Sequence, residues 1–247
     1  YSSPYSAALP AVAGTLGIII PPSIVFVIYG NITGTSISQL LMAGVVPGVL
    51  CAAALCVLAY IIARRRSYEV DQMFSWRGLG QSFLRSVFAL LMPLIILGGI
   101  YAGICTPTEA GSIAVVYSII LGVLYRELGW GELKKGLRES VLTTASVLII
   151  VSAASAFSWI LTREQIPQKL TALMTTYIGG KYAFLVIVNV FLLFVGMFIE
   201  GNAALIVLVP LLHPMAVAFG VDPIQFALIF NFNMAIGAVT PPMGTLM

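Results

Sequence analysis

The chain has 247 residues, 60% of them hydrophobic and only 9% charged, and its twelve Lys and Arg against nine Asp and Glu leave a net charge of +3. Soluble domains carry roughly 25% charged residues because water demands a polar surface, so this composition excludes a water-soluble globule and makes lipid the solvent. The cations are also too sparse and scattered for a nucleic-acid footprint.

Five apolar runs are long enough to cross a hydrocarbon core of about 30 Å, which takes roughly 20 helical residues. They cover residues 5–29, 40–63, 83–104, 108–125 and 141–162, and a sixth begins near Ile224. The expected organisation is a broken first span within 1–39, a span and cytoplasmic loop over 40–82, and two spans with an interfacial segment over 83–140. A span with an exterior segment follows over 141–181, then a hairpin over 182–221 and a second broken span over 222–247. With no initiator Met, and an end at Met247 just after a Pro-Pro turn, the chain reads as a fragment lacking both ends of the natural protein.

In chain order, Arg64, Arg65 and Arg66 read as a cytoplasmic stop that meets lipid phosphate. Cys51, Cys56 and Cys105 lie in apolar runs without ligand spacing and read as small core residues. Glu109 follows Thr106-Pro107-Thr108, the pattern of a helix N-terminal cap, with substrate or ion contact as the alternative. Leu128 to Ser140, with Trp130, Lys134, Lys135 and Arg138, is expected to lie as a short amphipathic segment on the membrane interface. Ser152, Ser155 and Ser158 recur every three residues beside Trp159, which places hydroxyls on one helix face. They line a transport path or mediate close helix packing.

Residues 182–219 consist of two apolar arms around Gly196-Met-Phe-Ile-Glu200-Gly-Asn202. The first arm is short for a span, so the segment is expected to be a re-entrant helical hairpin with its tip at membrane depth. Two short spans joined by an external turn are the alternative. With the hairpin, nine Lys and Arg fall on one face and Arg163, Lys169 and Lys181 on the other, which fits the positive-inside rule. The first and last spans then run in opposite directions. Glu200, at the tip, is either a functional intramembrane acid or a solvated one. His213, the only histidine, either couples protons or packs beside Pro214 near the exterior.

Gly17-Ile-Ile-Ile-Pro21-Pro22 recurs as Gly237-Ala-Val-Thr-Pro241-Pro242. Paired prolines remove two amide donors and clash with preceding carbonyls, so both spans should break inside the membrane. The freed carbonyls need partners in lipid, and a desolvated Na+ is one answer, with Thr15 and Thr240 as nearby hydroxyls. Interrupted spans in two oppositely oriented halves point to a transporter's binding site, whereas a proline kink explains either copy taken alone. At the hairpin tip, the carbonyl end of one arm and the amide end of the other face one place, suited to a cation and a carboxylate.

At these residues the chain resembles the large membrane subunit of tripartite ATP-independent periplasmic (TRAP) transporters, the DctM-like family. Gly14-Thr-Leu-Gly-Ile-Ile-Ile-Pro-Pro-Ser23, Gly99-Ile-Tyr-Ala-Gly-Ile-Cys-Thr-Pro-Thr-Glu-Ala110, Gly196-Met-Phe-Ile-Glu200 and Ala235-Ile-Gly-Ala-Val-Thr-Pro-Pro-Met-Gly244 are similar to its signature stretches, in its order. The resemblance implies an all-α, multi-pass protein of the bacterial inner membrane, an inverted-repeat elevator transporter with discontinuous helices. It implies Na+ as coupling ion with no cofactor, a carboxylate substrate such as a C4-dicarboxylate or sialic acid, and two partners, a small membrane subunit and a soluble periplasmic substrate-binding protein. One Na+ site carries over onto Gly196, Gly237, Thr240 and Met243. The other carries over onto Gly14, Thr15, Gly17 and Pro21, facing a first hairpin expected before Tyr1. Ser23, Ser155, Ser158, Glu200 and Asn202 are candidates for the substrate path. By the same resemblance, residues 83–125 correspond to a static scaffold and the broken spans with the hairpin to a moving domain.

An enzyme is not expected, since no paired acids, metal-ligand spacing or Ser-His-Asp set stands in the sequence. A carboxylate transporter of the same ion superfamily that needs no binding protein, or a channel, remains as an alternative reading.

Overall fold

The computed structural model describes residues 3–66, 75–177 and 179–242, and ten helices account for nearly all of them. They are α1 (Ser3–Ile19), α2 (Ile24–Thr33), α3 (Ile37–Arg65), α4 (Trp76–Tyr101), α5 (Pro107–Leu124), α6 (Trp130–Arg163), α7 (Ile166–Tyr177), α8 (Lys181–Gly196), α9 (Gly201–Ala218) and α10 (Pro223–Gly237). Five stretches among the described residues are long and apolar enough to cross a membrane, one of them the combined run Tyr5–Thr33. Large apolar side chains such as Leu50, Leu94, Ile149 and Val190 stand exposed along these helices, as they do where lipid replaces water.

The chain divides into two compact units, residues 1–58 with 146–247, and residues 59–145. In the second, α4 packs on α5. Tyr117 Oη donates to the Phe88 carbonyl at 2.7 Å and Ser118 Oγ to Met92 Sδ at 3.5 Å. Between these helices Gly103 adopts a left-handed φ of 69° that ends α4, and Thr106 caps α5. The cap is reciprocal: the Thr106 amide and hydroxyl donate to Glu109 Oε2 at 2.7 and 2.8 Å, and the Glu109 amide donates to Thr106 Oγ1 at 3.3 Å. Glu109 is thus occupied as the capping acid.

The charged stretch expected to lie separately on the interface is instead the opening of α6, a continuous helix of 34 residues. Neither a proline nor a turn pair interrupts the sequence between Trp130 and Arg163, so the backbone ladder has no reason to stop. Lys134 Nζ lies 5.8 Å from the Trp130 ring centre, a cation–π contact within this first part of the helix.

In the first unit, α10 packs against α8, α9 and α1, and α2 packs on α9. The core is formed by Phe26, Tyr29, Phe184, Leu205, Val209, Phe226 and Phe230, all essentially inaccessible. Phe184 stacks on Phe219 with ring centres 4.6 Å apart, pinning the start of α8 to the end of α9. Gly44 and Gly48 of α3 let that helix approach the interruption between α1 and α2. A Cβ on Gly44 would stand 2.7 Å from the Ile19 carbonyl oxygen and one on Gly48 2.6 Å from Ile20 Cγ1.

Candidate functional site

Both Gly-x-x-x-Pro-Pro units end a helix. α1 stops at Ile19 and α2 starts at Ile24, while α10 stops at Gly237 and gives way to turns through Pro242. The Pro21–Pro22 and Pro241–Pro242 peptide bonds are both cis. Pro21 and Pro22 carry no amide hydrogen, so the carbonyls of Gly17 and Ile18 lose the donors that a continuing helix would supply. Ile18 O is re-served by Ser23 Oγ at 2.6 Å and by Asn231 Nδ2 of α10 at 2.9 Å. Ser23, a substrate-path candidate, is 2% exposed and acts here as the local closure of the break.

Of the other residues expected at this first site, Thr15 is buried and donates to the Val12 carbonyl at 2.7 Å. Pro21 is buried, whereas Gly14 and Gly17 lie on an exposed face, where a Cβ on Gly17 would meet nothing within 4 Å.

The second site is more tightly assembled. α8 ends at Gly196 against the end of α10, and a Cβ on Gly237 would stand 2.5 Å from the Gly196 carbonyl carbon and 2.7 Å from its oxygen. Only glycine allows two main chains to meet this closely. Thr240 follows within one turn, its amide donating to Gly237 O at 3.0 Å and its hydroxyl to Ile236 O at 2.7 Å. Gly196, Gly237 and Thr240 are therefore brought together, and Met243 lies outside the described residues.

Between α8 and α9 the tip is ordered by Glu200. Its carboxylate caps α9 by accepting from the Ala203 amide at 3.0 Å and takes a second bond from Asn202 Nδ2 at 2.7 Å. Asn202 Oδ1 is buried without a partner, and the same holds for Asn231 Oδ1 at the first break. Native interiors leave few such atoms unpaired. Among the described residues, the hairpin tip and the first break thus each carry one buried amide oxygen that accepts no hydrogen bond.

Ser155 and Ser158 line a cleft of about 590 Å³ together with Asn31, Trp159, Thr162 and Pro210, contributed by α2, α6 and α9. Ser155 spends its proton on the Val151 carbonyl at 2.7 Å, within its own helix. The cleft is mainly apolar with a smaller hydrogen-bonding part, suited to a solute with both apolar and hydrogen-bonding groups.

Several polar residues that organise this unit were not singled out from the sequence. Asn233 Nδ2 donates to Asn189 Oδ1 of α8 and to Ile229 O, both at 2.7 Å, one turn before Gly237. Tyr29 Oη lies 2.7 Å from His213 Nδ1 and 3.3 Å from the Pro223 carbonyl, tying α2 to α9 and to the start of α10. His213 is thus held by a tertiary partner as well as standing beside Pro214. The signal for the asparagines was available: an amide inside the apolar run Ile229-Phe-Asn-Phe-Asn-Met234 needs a partner that lipid cannot supply.

The family model for the DctM component of the tripartite ATP-independent periplasmic transporter matches residues 1–247. The chain is 41% identical over 245 residues to the C4-dicarboxylate TRAP transporter large permease protein DctM of Pseudomonas aeruginosa. It is 40% identical over 245 residues to the sialic acid TRAP transporter large permease protein SiaM of Vibrio cholerae, and 40% identical over 249 residues to the isethionate TRAP transporter permease protein DctMQ of Oleidesulfovibrio alaskensis. Each match covers 99% of this chain, but only 57% of the first two proteins and 39% of the third. With its membrane-length helices, its two Pro-Pro helix ends and a match along its whole length, the chain is a multi-pass membrane protein and belongs to the DctM component family of the tripartite ATP-independent periplasmic transporters.

Proposed function

We propose that this chain is the translocating part of a Na+-coupled symporter that takes an organic anion across the bacterial inner membrane by an elevator movement. The observation that carries the reading is the apposition of Gly196 and Gly237. Two helices end where their bare backbones touch, which sets the Gly196 carbonyl against Gly237 with no side chain between them. Oxygen cages of this kind at interrupted helices suit a desolvated monovalent cation. The unpartnered oxygens of Asn202 and Asn231 favour a cation as well. Thr240 adds a hydroxyl, and Met243 belongs to the same set by family resemblance.

The α8–α9 pair serves as a re-entrant hairpin in this reading, with Glu200 ordering its tip and leaving the free α9 amides to an anionic group. The cleft lined by Ser155 and Ser158 is the solute path, and the division into two compact units supports a moving and a static domain. The substrate is an organic anion, a class that covers the dicarboxylate, sialic acid and isethionate named for the relatives. A small membrane subunit and a soluble periplasmic binding protein complete the system.

The test is uptake by proteoliposomes holding the full-length chain with its small membrane subunit and cognate binding protein. A carboxylate screen against the binding protein first identifies the solute. Uptake is expected to need both Na+ and the binding protein. Unchanged uptake with choline in place of Na+ removes the coupling ion from the reading, and uptake by the membrane subunits alone removes the binding protein.

A further inference from the structure

The Asn231 side chain joins α10 to the break between α1 and α2. Asn231 of α10 is 1% exposed, stands six residues before Gly237, and donates from Nδ2 to Ile18 O, the carbonyl that Pro22 cannot serve. This bond fixes the amide orientation, because a carbonyl acceptor requires the NH2 end and the oxygen end must point elsewhere. There, Asn231 Oδ1 accepts from no described group. An amide oxygen buried in this way is unfavourable unless something occupies its lone pairs.

The polar atoms at the first break have already committed their protons. The Ser23 hydroxyl donates to Ile18 O and the Thr15 hydroxyl to Val12 O, so what they retain are lone pairs. The carbonyl of Gly17 has no amide four residues on, since position 21 is proline. Oxygen atoms with lone pairs and no spare proton suit a cation and repel an anion.

We propose that Asn231 is a cation ligand at the first break through Oδ1, so that this ion site is built from both repeats, with Nδ2 holding Ile18 O in place. The proposal rests on the Na+ reading of the breaks and adds to it a ligand from the opposite broken span. Cation binding at the first break then orders α10, the helix that ends at the second site.

The test uses the full-length chain purified with its small membrane subunit, radiolabelled Na+ as the probe, and melting in NaCl against choline chloride. Asn231→Leu removes both amide functions, whereas Asn231→Asp keeps an oxygen and loses the donor. Asn231→Leu is expected to weaken Na+ binding by roughly tenfold or more. Asn231→Asp should bind within about threefold of wild type, and NaCl should raise its melting temperature more than it raises that of wild type, because the cation neutralises the added charge.

Equal Na+ affinity in wild type and Asn231→Leu overturns the proposal. So does equal impairment of both variants with no extra rescue by NaCl, which marks Asn231 as a strut or the holder of a water. If Asn231→Leu does not accumulate, the NaCl rescue of Asn231→Asp decides alone. Absence of saturable Na+ binding in the wild type defeats the underlying coupling reading, a separate result.

Discussion

Gly196 and Gly237 meet backbone to backbone: a methyl group on Gly237 would stand 2.6 Å from the Gly196 Cα. No side-chain rotation relieves such a contact, because both partners are main chain. Gly237→Ala must therefore separate the ends of α8 and α10, at a cost of about 1–3 kcal/mol. Thermal unfolding of the purified full-length protein should show the loss, accompanied by weaker Na+ binding. Gly111→Ala in α5 is the contrast, since a Cβ there meets nothing within 4 Å. It should fall within about 1 kcal/mol of wild type, on the stabilising side.

Thr240→Ala tests the hydroxyl beside that contact. The Thr240 amide still reaches Gly237 O, so the turn should survive while one oxygen is lost. The expected outcome is a Na+ concentration for half-maximal uptake raised roughly threefold to tenfold, with the maximal rate largely kept. A fall in maximal rate at unchanged Na+ dependence points instead to a role in the movement.

The Tyr29–His213 contact is a separate link between α2 and α9. Tyr29→Phe removes the hydroxyl alone and should destabilise by about 0.5–1.5 kcal/mol. A double-mutant cycle with His213→Phe should return a coupling energy of about 0.5 kcal/mol or more, because the two groups touch. Additive effects mean that the contact contributes nothing of its own.

The Asn189–Asn233 bridge predicts a fourth pattern. Asn233→Ala strips Asn189 Oδ1 of its donor on the α8–α10 seam and should cost about 1–3 kcal/mol. Because Asn233 lies one turn before Gly237, the same variant should loosen Na+ binding, whereas Thr106→Ala should not. Losing the α5 cap costs about 0.5–2 kcal/mol with the ion affinity unchanged. Comparing the two variants at matched stability separates the seam from general destabilisation.

The parts of this fold that sequence reveals are those dictated locally. Proline lacks an amide hydrogen wherever it stands, so the interruptions at Pro21–Pro22 and Pro241–Pro242 could be placed from residue identity. The same holds for Thr106 with Glu109, a cap completed within four residues. Hydropathy, by contrast, marks where a polar stretch begins without saying whether the helix stops there. Trp130 to Ser140 accordingly runs on into α6. The links Asn231–Ile18 and Tyr29–His213 are separated by 213 and 184 residues, and no local spacing announces such partners. What could have been read is the polarity of Asn231 and Asn233 in an apolar run, a sign that each needed a partner somewhere.

The seam where α8 and α10 terminate has an evolutionary corollary. An ion held there is held largely by peptide oxygens, so drift in side chains outside the small set of Gly196, Gly237, Thr240 and Asn233 leaves the grip unaltered. On the proposed reading, a lineage can redecorate the cleft around Asn31, Ser155, Ser158 and Trp159 for a new cargo while the backbone contact of Gly196 and Gly237 is inherited intact.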